Sequence, residues 1–292
     1  MANPGTAVVT GGASGIGRAY AEDLLELGWN VTILDLADSK KTLQYIVQKF
    51  GNEIQKRLLV FSGDITNQVQ MEMIFHKTIS HFGSFDLLVN NAGVFNLLFQ
   101  NLERTYQVNL VATTKNTEWF IKYATGNLRH PSRVPRNIII TAGSSGLIPI
   151  DSELAPAFVA SKFGLVGLVR SLKFLGPKFG IRVNCICPVI VDTPMNTIDS
   201  ETKGFLTDEG RGGIADPKEC AKAMIKILDD PSIYGEVVTV HPSVGCKVES
   251  LDANNQFGYL GNWSFEKSKQ VDAYLEGAID MVRAGKVGWS YL

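Results

Sequence analysis

The sequence has few of the features that mark secreted, metal-binding or membrane proteins. Only four cysteines occur among the 292 residues. Cys185 and Cys187 alternate along one predicted strand, and Cys220 and Cys246 stand alone. This spacing indicates neither a zinc site nor a disulfide framework. We therefore expect free, buried thiols and no bound metal.

Charge and hydropathy argue against two further classes. The formal net charge is −1, so no basic surface is expected for nucleic acid or an anionic membrane. No apolar run approaches the roughly 18 residues that a membrane span needs. The chain passes from Met1 through Pro4 into an apolar strand without a signal-peptide pattern. We expect a cytoplasmic protein.

Short β-branched runs alternate with helical patterns over residues 1–246. This alternation predicts an α/β fold, a Rossmann-type doubly wound parallel sheet of about seven strands with helices on both faces. The length and the 45% apolar content suit one large domain. The predicted strands are Thr6–Thr10, Asn30–Asp35, Leu58–Ser62, Leu87–Asn90, Asn137–Thr141, Arg182–Cys187 and Val237–His241.

Two segments lie outside this alternation. Residues 196–216 follow the carboxyl end of a strand, where such sheets bind ligands, and are predicted to form a lid over the substrate. The alternative is a long irregular connection. Residues 247–292 carry an apolar stripe that includes Val271, Leu275 and Val282. We expect a C-terminal helical extension packed on the domain or on a partner subunit; a wall of the substrate pocket is the alternative.

A glycine-rich turn lies between the first strand and the first helix. Glycines let the backbone approach a pyrophosphate, whose charge then meets the helix N-terminus. Asp35 ends the second strand eighteen residues after Gly17. A carboxylate there accepts hydrogen bonds from a ribose diol and repels a 2′-phosphate, which favours NAD over NADP; a cap or turn residue is the alternative. The predicted cofactor contacts in the turn are Thr10, Gly11, Ser14, Gly15, Ile16 and Gly17.

With these motifs the chain resembles the short-chain dehydrogenase/reductase family from Ala7 to about Gly245. Within the family, residues 184–188 (Asn-Cys-Ile-Cys-Pro) and the C-terminal half look most like NAD-linked 15-hydroxyprostaglandin dehydrogenases. Relatives usually form dimers or tetramers, so the resemblance implies a homodimer or homotetramer.

The resemblance also implies roles for residues beyond the turn. Asp64, followed by Ile65, matches the acid that binds the adenine ring, and Asn109 matches the helix asparagine that holds a proton-relay water. Ile190 and Thr193 are expected to hold the nicotinamide carboxamide. The remaining matched positions are Asn91, Ala92 and Gly93 along the adenosine, and Lys162 and Pro188 near the nicotinamide.

The family's catalytic tyrosine is absent. In the family a serine, a tyrosine and a lysine act together: the phenol transfers the proton while the lysine ammonium stabilises the phenolate. Tyrosine and lysine stand four residues apart and share one face of a helix. Phe158 and Lys162 keep that spacing, but Phe158 has no hydroxyl.

The serine position is open between two alignments. Counting back thirteen residues from Phe158 reaches Ser145, whereas aligning forward from the strand before it reaches Gly143. The difference implies a two-residue insertion between Ile150 and Pro156. That insertion brings acidic side chains to the pocket edge. The candidate proton donors are Ser144, Ser145, Asp151, Glu153, the substrate itself, or water held by Asn109 and Lys162.

Three functions are compatible with these residues. The first is an NAD(H)-dependent oxidoreductase acting on a hydroxyl or ketone, with an atypical proton donor. The second is a redox-neutral isomerase, cyclase or dehydratase, and the third is a catalytically inactive NAD-binding protein. Phe158 is expected to line the site, and an apolar wall there predicts a small hydrophobic substrate.

Overall fold

A central eight-stranded sheet organises the part of the chain that the computed structural model describes, residues 4–97, 100–126, 134–148, 155–195 and 213–249. The strands run in the order β3-β2-β1-β4-β5-β6-β7-β8. All neighbours are parallel except β7 and β8. The predicted doubly wound α/β sheet is confirmed. The strands are β1 Thr6–Thr10, β2 Asn30–Asp35, β3 Leu58–Ser62, β4 Leu87–Asn90, β5 Arg136–Thr141, β6 Ile181–Pro188, β7 Val237–His241 and β8 Gly245–Glu249.

Helices cover both faces of the sheet. The described α-helices are α1 Gly15–Glu26, α2 Ser39–Phe50, α3 Gln68–Phe82, α4 Leu102–Tyr106, α5 Thr113–Gly126, α6 Pro156–Ser171, α7 Leu175–Phe179 and α8 Pro217–Asp229. α1, α2 and α8 share one apolar core with Val9 and Ile33 of the sheet. Asn90 of β4, whose side chain bonds Thr117 of α5, marks the opposite face. Successive strand residues alternate between the faces, so each strand contributes to both layers.

Local sequence signals set several helix ends. The side chains of Asp38, Asn67 and Asp216 accept hydrogen bonds from backbone N–H groups in the first turns of α2, α3 and α8. These bonds satisfy donors that a helix start leaves unpaired. α3 ends at Gly83, which has a φ of 84°. Glycine adopts that left-handed conformation without the steric cost of a Cβ.

The predicted strands match the structure closely. β1, β2, β3, β4 and β7 have the predicted bounds, β5 begins one residue earlier, and β6 extends by one residue at each end. β8 adds an eighth strand to the seven that were predicted, and it returns antiparallel to β7 after a turn at residues 242–244. β8 is half-exposed, so it lacks the apolar run that marks the inner strands. It also crosses the predicted domain boundary at residue 246.

Most of the predicted lid, residues 196–212, lies outside the described residues, as do residues 250–292 of the predicted C-terminal extension. The described end of the lid segment is tied to the chain after β6. The backbone N–H of Ala215 donates to the Ile190 carbonyl at 2.9 Å, and that of Asp192 donates to the Ala215 carbonyl at 3.0 Å. Among the described residues, no helix combines the length and apolarity that a membrane crossing requires.

Candidate functional site

Glycines in the turn between β1 and α1 and in the first turn of α1 have no room for a Cβ. A Cβ on Gly17 would lie 2.1 Å from the Gly11 carbonyl oxygen, and Gly11 itself has a φ of 66°. These glycines let the start of α1 pack directly against the turn, and the N–H groups of a helix start are where a dinucleotide phosphate is expected. Ser14 is the N-cap residue of α1, and Ile16 packs against the core behind it.

The chain after β6 reaches the same turn. A Cβ on Gly15 would lie 3.0 Å from Cγ2 of Thr193. Pro188 ends β6, and the Val189 N–H continues the pairing by donating to Val240 at 3.1 Å. The structure thus brings Thr193 beside the glycine turn, while Ile190 is fixed through the Ala215 bond. Both residues lie at the carboxyl edge of the sheet, where the nicotinamide half was predicted.

Asp35 is bonded to the turn directly. One carboxylate oxygen accepts from the Ala13 N–H at 2.9 Å, and the other accepts from the Ala37 N–H at 3.0 Å. The second bond has the form of a local turn, which is the alternative role considered from the sequence. The first bond places the carboxylate against the predicted pyrophosphate loop, where a ribose diol is expected.

Thr10 joins the turn to the Asn-Asn-Ala-Gly segment after β4. Its hydroxyl oxygen accepts from the backbone N–H groups of Asn91 at 3.0 Å and Ala92 at 3.1 Å. The Asn91 amide donates in return to the carbonyls of Thr10 at 3.2 Å and Gly11 at 3.3 Å. Two strand ends are thereby held together at the centre of the predicted cofactor site.

Asp64 has a partner that the sequence did not reveal. One oxygen accepts from the N–H of Thr66 at 2.9 Å and from its hydroxyl at 2.8 Å. The other accepts from the guanidinium of Arg104 at 2.8 Å. Burial raises the pKa of Asp64, but the bonds from Thr66 and Arg104 outweigh it and hold the pKa below its usual range. Ile65, the next residue, is buried.

Asn109 lies in a π-helical turn, Gln107–Ala112, between α4 and α5. Such turns are common at functional sites. Its amide donates to the Val94 carbonyl at 2.9 Å and to the Ser161 hydroxyl at 3.2 Å, and its oxygen accepts from the Val94 N–H at 2.8 Å. Ser161 donates to the Phe158 carbonyl at 2.6 Å. Asn109 therefore connects the segment after β4 to α6. Ser161 takes part in this connection, and no sequence motif indicated that role.

Lys162 is buried at the centre of this group. Its ammonium donates to the Thr141 carbonyl at 3.0 Å, and a Cβ on Gly93 would lie 3.8 Å from its Nζ. Burial lowers the pKa of Lys162 to about 8, and the nearby Cys187 thiol opposes this shift. A hydrogen bond with Cys185 and the positive charge of Lys162 lower the pKa of Cys187, against the effect of burial. The electrostatic interaction between Lys162 and Cys187 was not expected from the sequence.

Phe158 lies beside Lys162 on α6. The ammonium nitrogen is 5.2 Å from the centre of the Phe158 ring, within the range of a cation–π contact. Phe95, two residues after Gly93, meets the ring at 5.0 Å between ring centres with an interplanar angle of 74°. The position four residues before Lys162 is therefore an apolar surface built from two aromatic rings.

The remaining proton-donor candidates divide into two groups. Ser144 and Ser145 lie in a 3₁₀ turn, Ser144–Gly146, that packs on α6; a Cβ on Gly146 would lie 2.7 Å from the Lys162 carbonyl oxygen. Both serines are half-buried, and neither hydroxyl bonds another described residue. Asp151 and Glu153 lie outside the described residues.

Comparison with known proteins identifies the family. A family model described as short chain dehydrogenase matches residues 5–204. The 15-hydroxyprostaglandin dehydrogenase (NAD(+)) of Bos taurus is 34% identical over 264 residues, which cover 86% of this chain and 96% of the relative. The predicted resemblance to this family, and within it to 15-hydroxyprostaglandin dehydrogenases, is confirmed.

Solved structures agree on the fold. The 3-ketoacyl-(acyl-carrier-protein) reductase from Brucella melitensis, complexed with NADH, superimposes with a TM-score of 0.71 at 21% identity and covers 83% of this chain and 99% of its own. A short chain dehydrogenase from Burkholderia cenocepacia J2315, in complex with NADP, gives a TM-score of 0.69 at 25% identity over 81% and 96%. The family match and the extent of the 34% identity establish that the chain belongs to the short-chain dehydrogenase/reductase family of oxidoreductases.

Proposed function

We propose that this protein is an NAD(H)-linked oxidoreductase that interconverts a hydroxyl and a ketone on a hydrophobic small molecule, with Lys162 supplying the proton that a phenol supplies elsewhere in the family. The observation that carries the proposal is the buried ammonium of Lys162, whose pKa is about 8. It lies at the same edge of the sheet as the glycine-rich turn after β1. Fold alone would not support this assignment, because one fold hosts many reactions.

The residues at the turn fit a dinucleotide. Gly17 and Gly11 let the start of α1 and the segment after β4 pack directly against the turn, and the N–H groups at that helix start suit a phosphate. Asp35 lies against that turn and favours a free ribose diol, because its charge repels a 2′-phosphate. The relatives carry NAD(+), NADH and NADP in their names or complexes, so the proposal of NAD(H) for this chain rests on Asp35.

The proposal assigns the proton-donating role to Lys162. A nicotinamide cofactor, when bound, supplies the hydride to the carbonyl carbon. In our proposal the substrate oxygen then takes a proton from Lys162, directly or through a water held by Lys162 and Asn109. An ammonium with a pKa of about 8 is charged at neutral pH and close enough to neutrality to give up its proton. The half-buried hydroxyls of Ser144 and Ser145 are available to bind the same oxygen.

The rim of the proposed pocket is apolar. Leu97, Ile148 and Met195 follow β4, β5 and β6 and expose about half of their surface. Because the carboxyl ends of parallel strands meet at one edge of the sheet, we expect these side chains to line the same opening as the Phe95–Phe158 pair. This set supports a substrate with a substantial apolar surface.

The test is turnover of a panel of hydrophobic alcohols and ketones, followed by cofactor absorbance. We expect ketone reduction to fall as the pH rises through about 8, because Lys162 then loses its proton. Lys162→Ala should abolish that dependence and most of the activity. Lys122→Ala, which removes an exposed lysine paired with Glu118, should change neither.

Two outcomes would contradict the proposal. Conversion of substrate without net change in the cofactor would indicate a redox-neutral isomerase, cyclase or dehydratase. Cofactor binding without turnover of any compound in the panel would indicate an inactive NAD-binding protein.

The proposal also includes a homodimer or homotetramer. Light scattering of the purified protein measures this oligomeric state.

A further inference from the structure

We propose that Arg104 is a positioning residue for cofactor binding, because it holds the Asp64 carboxylate in the orientation that receives an exocyclic amino group of the adenine. This inference rests on the proposed NAD(H) function and deepens it. It assigns to Arg104 a part in discriminating between purine rings.

The geometry around Asp64 leaves one direction open. A carboxylate offers about four acceptor positions on its two oxygens. Oδ1 already accepts two hydrogen bonds from Thr66, and Oδ2 accepts one from Nη2 of Arg104. The second nitrogen of the guanidinium, Nη1, donates to the Thr66 hydroxyl at 3.2 Å, which locks the three side chains into one unit. The acceptor position left on Oδ2 is free to receive a donor from a bound ligand.

The location suits the adenine end of the cofactor. β3 pairs with β2 so that Ser62 lies opposite Asp35, the predicted ribose carboxylate, and Asp64 follows two residues later. The side chains of Asp64 and Arg104 are 34% and 40% exposed, so both are accessible to a bound ring. The Asp64 N–H donates to the side chain of Gln70 at 3.1 Å, which fixes the backbone independently of Arg104. The contribution left to Arg104 is therefore the orientation of the carboxylate.

Arg104 differs from the ordinary surface cations of this chain. Lys122 and Glu118 pair within one turn of α5 and are more than half exposed, so their pairing has little structural consequence. Arg104 lies forty residues from Asp64 in sequence and bonds two acceptors with two nitrogens. A planar guanidinium can do this, whereas a lysine ammonium in the same place would act as a single point of contact.

The experiment compares two dinucleotides by calorimetry, without turnover. NAD(+) presents an amino group to Asp64, whereas nicotinamide hypoxanthine dinucleotide presents an oxygen at that position. We expect the unaltered protein to bind NAD(+) more tightly by roughly tenfold, the value of one hydrogen bond to a charged group. Arg104→Ala should weaken NAD(+) binding by about the same factor. It should change the affinity for the hypoxanthine analogue by less than about twofold. Arg104→Lys should recover part of the preference.

Further variants separate positioning from general electrostatics. In an Asp64→Asn background, Arg104→Ala should have no further effect on NAD(+) affinity, because the carboxylate it positions is gone. Lys122→Ala is the matched control and should leave both affinities unchanged. The thermal midpoints of all variants should agree within a few degrees.

Three results would separate the alternatives. Equal weakening of both dinucleotides by Arg104→Ala would overturn the inference and make Arg104 a general anion contact. Unchanged affinity for both would overturn it as well and reduce the pair to a surface feature. Failure of the unaltered protein to bind either dinucleotide would instead refute the proposed function. This result differs from the two that overturn the role of Arg104 alone.

Discussion

Phe158→Tyr adds one hydroxyl at the edge of the apolar surface beside Lys162. The ring is half-buried, meets Phe95 edge-to-face, and lies 5.2 Å from the ammonium nitrogen. A positioned general acid contributes about 10²- to 10⁴-fold to a rate. Because Lys162 already supplies a proton in our proposal, we expect the gain in ketone reduction to lie near the lower limit, about 10²-fold.

Stability limits how the result is interpreted. A hydroxyl buried without a partner costs about 1–3 kcal/mol, whereas one that reaches the pocket costs less. We therefore expect only a small fall in the thermal midpoint of Phe158→Tyr. Phe163→Tyr is the control, since Phe163 lies on the same helix and is 42% exposed. It should alter neither the rate nor the cofactor affinity.

The assay is cofactor absorbance during single and multiple turnovers of the best ketone from the panel. A rate that falls in Phe158→Tyr, with NAD(H) affinity and thermal midpoint preserved, would refute the reasoning. That outcome would mean that the chemistry depends on an apolar ring and not on proton transfer at this position. It would favour the redox-neutral alternative, in which the aromatic pair packs against the substrate.

Three further changes test the site. Gly17→Ala places a Cβ 2.1 Å from the Gly11 carbonyl and should abolish NAD(H) binding by calorimetry, while Gly167→Ala, in open space on α6, should not. Asp35→Asn keeps a side-chain acceptor for the Ala13 N–H but removes the charge, so NADP affinity should rise and NAD affinity fall by about tenfold each; unchanged selectivity would exclude the assigned role. Lys162→Met tests stability by denaturant titration: the pKa of Lys162 is 10.5 when unfolded and about 8 when folded, so the unfolded state holds more protons between those values and stability rises with pH. Between pH 8 and pH 10.5, the free energy of unfolding of the unaltered protein should rise by about 3 kcal/mol relative to that of the variant. If the two proteins show the same change of unfolding free energy with pH, the buried ammonium is contradicted.

Local sequence signals were sufficient for seven of the eight strands and for the glycine-rich turn after β1. β1, β2 and β4 are short apolar runs bounded by glycine, asparagine or acidic residues, so backbone preference and burial agree on where they begin and end. β8 was not predicted, because its partly exposed residues carry no such signal. The β1–α1 turn was predictable from its glycines, because the close approach of two backbone segments there excludes a residue with a Cβ.

Contacts between distant segments were beyond local reasoning. Arg104 and Asp64, or Phe95 and Phe158, are brought together only when the sheet order and the helix packing are set. The same holds for the pKa of Lys162, because desolvation depends on what surrounds the ammonium and not on its neighbours in sequence. Residue types and short-range spacing thus determined the family and seven of the eight strands. Tertiary structure alone decided which charges are buried and which side chains meet, because those are properties of packing.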